Sequence, residues 1–284
     1  MKNIIIMAES GSDLTTQLAN QYGIEIVPMH VTFENESLDD GSFKVEKIVE
    51  YYEKTGKLPK TSGSTPEDFT QAFNRVHQKH PEAKILYIAY SAITTVSYAS
   101  ARIAAEGLDY VYMLDTKQVS IGQGLIAYYV AKYYDEHPNT SIEQLMDVAQ
   151  DYINRAKMCF MPDNLEFLKA GGRVSNVAFL GARILGLHPV IEIIDGKLTA
   201  TKKLRGKMTK VVETLIKDYA TNWNLDQEVL WVVYTIGTSD EVKQVMEQAA
   251  KACGFKKINW IQAHGVITTH GGPAAVGMAG FTKK

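Results

Sequence analysis

The chain opens on a continuous apolar run over 3–8, broken by the polar stretch Glu9-Ser10-Gly11-Ser12-Asp13. A short apolar run bounded by turn residues predicts a strand buried on both faces of a parallel sheet. Helical periodicity follows over 14–22 with Gly23 as its stop, and a second strand is predicted over 24–33. Residues 45–54 have helical spacing, 57–65 read as a polar loop, and Thr65-Pro66-Glu67-Asp68 is a helix start with proline at the first helical position. Residues 84–89 and 110–114 are strand-like, with a helix expected between them over about 96–106. Further helices are predicted over about 124–134 and over 141–157, the second opened by a Thr140/Glu143 capping box. Strands alternating with helices predict a parallel, doubly wound sheet.

The pattern changes after Cys159. Residues 189–194 and 197–203 flank Asp195-Gly196, the strongest short-range hairpin signal, so antiparallel pairing enters here. Helices over 206–219 and 239–253 then alternate with strands over 229–235 and 258–262. The expected fold is α/β in two domains, an N-terminal doubly wound, mostly parallel sheet over 1–158 and a C-terminal α+β domain with a mixed sheet over 159–284. The last residues are expected to fold back near the first domain.

Composition narrows the function classes. With 45% apolar and 22% charged residues in 284, the chain reads as an ordinary soluble globular protein. A net charge of −2 argues against a nucleic-acid binder. Cys159 and Cys253 stand far apart without metal-ligand spacing, which argues against a disulfide scaffold or a zinc site. The opening MKNIIIMAES is too short in its apolar part for a secretory signal, and no apolar run approaches the roughly 18 residues that span a bilayer. The expected location is the cytoplasm.

Small hydroxyl residues gather in the loops of the first half: Ser10 and Ser12, Thr61 and Ser62, then Ser91, Thr94 and Thr95. In a doubly wound sheet the loops beyond the strand ends converge on the ligand crevice. Hydroxyls donate hydrogen bonds there without adding charge, which suits an acidic head group in an apolar site. Gly122-Gln-Gly124-Leu-Ile-Ala127 matches the dinucleotide fingerprint in letters, but too many residues separate it from the strand before it, so a tight turn positioning Asp115 is the preferred reading. Near the C-terminus, His270-Gly-Gly-Pro273 reads as an imidazole beside a helix start, where backbone N–H groups can hold an anion. Ser91, Asp115 and His270 offer the residue types of a hydrolytic triad, but there is no G-x-S-x-G elbow, and no zinc-protease, Walker or EF-hand spacing.

The densest signal is Leu165-Glu-Phe-Leu-Lys-Ala-Gly-Gly-Arg-Val-Ser175-Asn176. A helix-like run ends at two glycines, and Arg173 then leaves the turn with a planar fork of donors suited to a carboxylate or phosphate. Together with the hydroxyl loops, Asp115–Gly124, Leu187-His-Pro-Val190, Asp195-Gly-Lys197, Lys203-Leu-Arg205 and Thr269-His-Gly-Gly-Pro273, this tract resembles the DegV family along essentially the whole chain. That family comprises fatty-acid-binding proteins and includes the FakB subunit of bacterial fatty acid kinase.

The resemblance implies two α/β domains with one long-chain fatty acid buried between them and no cofactor besides that ligand. It implies a carboxylate held through Thr61, Ser91 and His270 with Arg173 nearby, and the neighbouring Ser62, Thr94 and Thr95 in the same site. It also implies a separate ATP-dependent fatty acid kinase subunit that phosphorylates the carboxylate, docking at Arg205, so that the chain is a binding subunit without catalysis of its own. Four departures from the family pattern stand out. Glu9 replaces an Asp, Tyr90 a Ser, Thr94-Thr95 a Ser-Gly pair, and Thr235-Ile-Gly-Thr-Ser239 lacks the usual His-Gly-Asp. The apolar run 177–187 is expected to be either a core helix or a gate in transient contact with a membrane during lipid exchange. The competing reading is a small-molecule hydrolase or phosphatase in the same crevice.

Overall fold

A computed structural model describes residues 2–163, 165–172 and 186–284. Arg173 and most of the apolar run beyond it lie outside the described residues.

The chain begins with β1 (Ile4–Glu9), a 3₁₀ turn at Ser10–Ser12, α1 (Thr16–Tyr22), β2 (Glu25–Val27), β3 (His30–Phe33), β4 (Glu36–Asp39) and α2 (Glu46–Thr55). It continues through β5 (Lys60–Ser62), α3 (Pro66–Lys79), β6 (Lys84–Ala89), α4 (Ser97–Ala104), β7 (Val111–Asp115), α5 (Ser120–Glu136) and α6 (Ile142–Arg155). The second half has β8 (Ala156–Met161), α7 (Glu166–Gly171), β9 (Leu187–Ile194), β10 (Lys197–Arg205), α8 (Met208–Asn222) and β11 (Val229–Tyr234). It ends with α9 (Asp240–Ala252), β12 (Lys257–Gln262), α10 (Gly265–Gly271) and β13 (Val276–Phe281).

Among the described residues the strands form three sheets. The first, β2-β1-β6-β7, is parallel throughout, as the βα alternation predicts. The second, β10-β9-β8-β13-β11-β12, is antiparallel except for β11 and β12. The third, β4-β3-β5, is small and antiparallel. The Asp195-Gly196 hairpin joins β9 to β10 as expected, both turn residues having positive φ (48° and 81°).

Several expectations need correction. The predicted strand over 24–33 is two strands in different sheets, because Pro28 between them has no N–H to continue a ladder. The predicted loop over 57–65 contains β5, whose residues pair with His30–Thr32. Helix α6 is capped one residue later than predicted, by a Ser141/Gln144 box, and it stops at Arg155 where β8 takes over. Both Thr140 and Ser141 fit the capping pattern in sequence, but Thr140 spends its hydroxyl on the His137 carbonyl at 2.7 Å.

Helix α5 begins at Ser120, so Gly122 and Gly124 lie inside it and form no phosphate turn. Their role is close approach: a Cβ on Gly124 would sit 2.4 Å from the Ser12 carbonyl oxygen. Every residue of α5 from Ser120 to Ala127 is buried, and a helical segment with no wet face belongs inside a core. One apolar cluster accordingly runs from Ile6 and Ile88 through α5 to Met158, Leu198 and Val233 of the second sheet. A separate cluster on that sheet's far face packs β8 and β11 against α8 and α9.

Substitution Gly124→Ala tests this packing. Helix propensity alone favours alanine by about 1 kcal/mol, whereas forcing a methyl into backbone costs about 1–3 kcal/mol or more. The expected result is net destabilisation in urea melts; a stabilised variant would contradict the close contact.

Candidate functional site

The strand order reverses between β1 and β6, and loops leaving those strands open there. Open α/β sheets hold ligands at this switch point. A cavity lies at this place, lined by residues from both halves of the chain. Thr61 and Ser62 reach it from β5, Thr94 and Thr95 from the loop after β6, Ser120 from the start of α5, and His270 from α10. Met158, Phe160, Leu198 and Val233 of the six-stranded sheet supply an apolar wall. Strand alternation sets that wall, since Cys159 and Met161 turn to the opposite core.

At the polar end, Thr61 Oγ1 and His270 Nε2 are 2.8 Å apart. Which atom donates follows the imidazole tautomer. Gly63 brings the two hydroxyl loops together, since a Cβ there would sit 2.3 Å from Thr95 Oγ1. The other side of the imidazole meets α7: a Cβ on Gly171 would be 2.3 Å from His270 Nδ1. Gly172, left-handed at φ 61°, then ends α7, as the glycine pair predicts. In return α10 opens for α7, where a Cβ on Gly272 would come within 2.9 Å of Phe167. Phe167 rests on Tyr52 with ring centroids 4.9 Å apart, and the Tyr52 hydroxyl donates to Glu166 at 3.1 Å.

The start of α10 is held from the other half of the chain. Asp13 Oδ1 accepts from the His264 N–H at 2.7 Å, and Asp40 Oδ1 accepts from the Val266 N–H at 3.0 Å. Their second oxygens accept from the Ser120 and Ser10 hydroxyls respectively. Burial pushes both carboxyls above the usual carboxylate range, and the His264 imidazole is the chief influence opposing this. Glu9 is likewise fully buried, and desolvation raises it to about 7. The Tyr87 hydroxyl, the Gln123 amide and the Tyr90 N–H all donate to its carboxylate and limit the rise.

Of the residues expected in the site, Thr61, Ser62, Thr94, Thr95 and His270 line this one cavity. Ser91 does not. It is buried, and its hydroxyl donates to the Gly196 carbonyl at 2.7 Å, fastening the β9–β10 hairpin to the first half. Arg173 lies outside the described residues. Arg205 is exposed at the end of β10, away from the hairpin turn. Asp115 holds the β6 loop, accepting from Ala92 N at 3.2 Å and Lys117 N at 2.9 Å, but the expected tight turn at Gly122–Gly124 is helix, and those glycines do not position it.

His270 requires a correction. It closes the last turn of α10, and β13 follows instead of a new helix. The polarity it meets therefore comes from Thr61, not from the N–H groups of a following helix. Sequence reading missed Asp40, His264, Gly63 and Gly171 as parts of the site. Each acts across long sequence separation or by lacking a side chain, so neither spacing nor residue type exposes it.

Among the described residues no His, Cys, Asp or Glu group is arranged to hold a metal ion, and no helix is long and apolar enough to cross a membrane.

Comparison with known proteins adds to this geometry. The family model described as "Uncharacterised protein, DegV family" matches residues 3–283. The chain belongs to the DegV family. A DegV relative from Thermotoga maritima, a fatty acid-binding protein, is 26% identical over 288 residues, covering 96% of this chain and 95% of the relative. A DegV domain-containing protein of Deinococcus radiodurans is 27% identical over 281 residues, 98% of each chain. The fold matches a DegV family protein from Thermus thermophilus, described for its fatty acid binding, with a TM-score of 0.88 at 24% identity and full coverage of both chains. The Fatty Acid Kinase B3 protein of Streptococcus pneumoniae, loaded with linoleic acid, matches with a TM-score of 0.83 at 18% identity, over 99% of this chain and 100% of that one.

Two outcomes follow for this DegV site. Gly171→Ala drives a methyl into His270 and is expected to displace the imidazole, read as a shifted His270 ring signal in NMR; an unmoved signal would contradict the contact. Glu9 titrates near 7 when folded against an ordinary value of 4.5, so the folded chain binds more protons than the unfolded one between those limits and loses stability as pH rises through them. Glu9→Gln should therefore gain on the parent from about pH 4.5 to about pH 7, by on the order of 3 kcal/mol, and level off above. Urea melts across that range check the sign; a gain that shrinks with rising pH contradicts it.

Proposed function

We propose that this protein binds one long-chain fatty acid in the cavity between its parallel and mixed sheets, with the carboxylate at the Thr61–His270 pair. The observation that carries this reading is the Thr61–His270 pair, 2.8 Å apart, with the Ser62, Thr94 and Thr95 hydroxyls, in a cavity walled largely by apolar side chains. Each methylene taken out of water contributes about 0.8 kcal/mol, so the tail supplies affinity. A carboxylate buried without partners is costly and takes up a proton instead. Donors at Thr61 and His270, with Ser62, Thr94 and Thr95 close by, meet that need with little fixed charge. The family membership and the fatty acid-binding relative support the same ligand class.

In the fuller reading, the halves 1–158 and 159–284 close on the lipid and leave its head group for a separate ATP-dependent kinase subunit, with exposed Arg205 as the docking residue. Arg173 is the additional cation proposed for the carboxylate. Ser91 joins the head-group site only by releasing the Gly196 carbonyl, so its part in binding is coupled to the hairpin.

Denaturing extraction of the purified protein and mass spectrometry provide the test. The expected result is close to one fatty acid per chain, with weaker uptake of oleate in Thr61→Val and His270→Ala. Absence of extracted lipid, together with no uptake of added oleate or palmitate, overturns the reading. Turnover of simple esters or phosphates by the protein alone, lost in His270→Ala, would favour a hydrolase or phosphatase.

A further inference from the structure

We propose that Asp13 and Asp40 are positioning residues for the head-group histidine: they fix α10 at its first turn and so set His270, at its last turn, against Thr61. This deepens the fatty acid reading and rests on it for its effect on binding.

The argument starts from the size of α10. A helix of seven residues has little stability of its own, and its first N–H groups have no partners within the helix. Its N-cap residue, His264, provides no side-chain cap. The missing acceptors come instead from carboxylates far away in sequence, Asp13 on the His264 N–H and Asp40 on the Val266 N–H. Both carboxylates are buried and each is itself oriented, by Ser120 and Ser10. Ser10 is fixed in turn, since its hydroxyl accepts from the Met29 N–H at 2.9 Å. Carboxylates near a helix start also meet the positive end of its dipole.

Space leaves α10 little freedom to adjust. A Cβ on Gly265 would sit 2.5 Å from the Phe43 ring and 3.0 Å from Asp40 Oδ1, so the first turn lies directly on its supports. The last turn is bounded by Gly171 on one side and Thr61 on the other. A helix fixed at its first turn in this way carries its last side chain to a defined place. Ser120 adds a link, since it lines the cavity while donating to Asp13.

The test compares Asp13→Ala and Asp40→Ala in the parent chain and in His270→Ala, with oleate affinity read by displacement of a fluorescent fatty acid. A residue acting through His270 matters only while His270 is present. The expected result is about ten-fold weaker binding in the parent background and less than about two-fold in His270→Ala. Asp13→Asn and Asp40→Asn keep an acceptor oxygen and are expected to restore affinity. Equal losses in both backgrounds overturn the proposal.

The His270 ring signal in NMR gives a second readout that needs no ligand. It should move in the alanine variants and return in the asparagine variants. If the alanine variants do not fold, the asparagine variants decide: parental affinity with an unmoved ring signal supports positioning, and weakened binding with an unmoved ring signal overturns it. A parent chain that takes up no oleate sinks the binding reading alone. The ring signal then still supports or overturns the positioning of His270.

Discussion

The hydrogen bonds from the first turn of α10 to Asp13 and Asp40 hold the rest of the site in place. They run between the first forty residues and the last twenty-one, so they tie the turn after β1 and the end of β4 to a helix that arrives after the mixed sheet is nearly complete. Their cost is visible in the carboxyls, both pushed above the ordinary carboxylate range by burial. A buried acid is tolerable when every oxygen has a donor. Here each oxygen has one, a backbone N–H on one side and a serine hydroxyl on the other. What the arrangement secures is a fixed direction for a short helix that could not stand alone.

The cavity beside it depends on where side chains are missing. Gly63, Gly124 and Gly171 each stand where a Cβ would come within about 2.4 Å of another group, and these contacts bring Thr95, the Ser12 carbonyl and the His270 ring into place. Side chains of ordinary size at these points would hold the hydroxyl loops, α5 and α7 farther apart. Close packing of this kind transmits displacement instead of absorbing it. The glycine-glycine tract at 171–172 thus has two physical tasks: Gly172 turns the chain left-handed, and Gly171 lets α7 rest on the imidazole.

Much of this was legible in the sequence because it rests on local rules. The βα alternation, the Asp195-Gly196 hairpin and the Thr65-Pro66 helix start all appear where the pattern puts them. Thr61, Ser62, Thr94, Thr95 and His270 were readable as loop residues near strand or helix ends, and they share one cavity. The failures are tertiary. Pro28 divides an apolar run between two sheets, a choice that hydropathy does not encode. Strand β13, Val-Gly-Met-Ala-Gly-Phe, lacks β-branched residues over most of its length and forms because β8 and β11 flank it on both sides. Ser91 looked like a head-group donor by position, but a carbonyl from residue 196 takes its hydroxyl. Asp40 gives no signal at all, since its partner lies 226 residues away.

The division of labour between tail and head follows from the same energetics. An apolar wall from Met158, Phe160, Leu198 and Val233 rewards any tail that fills it and discriminates weakly among tails, since one methylene is worth only about 0.8 kcal/mol. The polar end behaves differently. Thr61 and His270 are partly buried and bonded to each other, so a group that breaks this bond without replacing it loses on the order of 1 kcal/mol. Recognition of the ligand as an acid therefore rests on a few polar atoms and depends on their being held still. That is why the supports of α10 bear on the chemistry of the cavity's polar end.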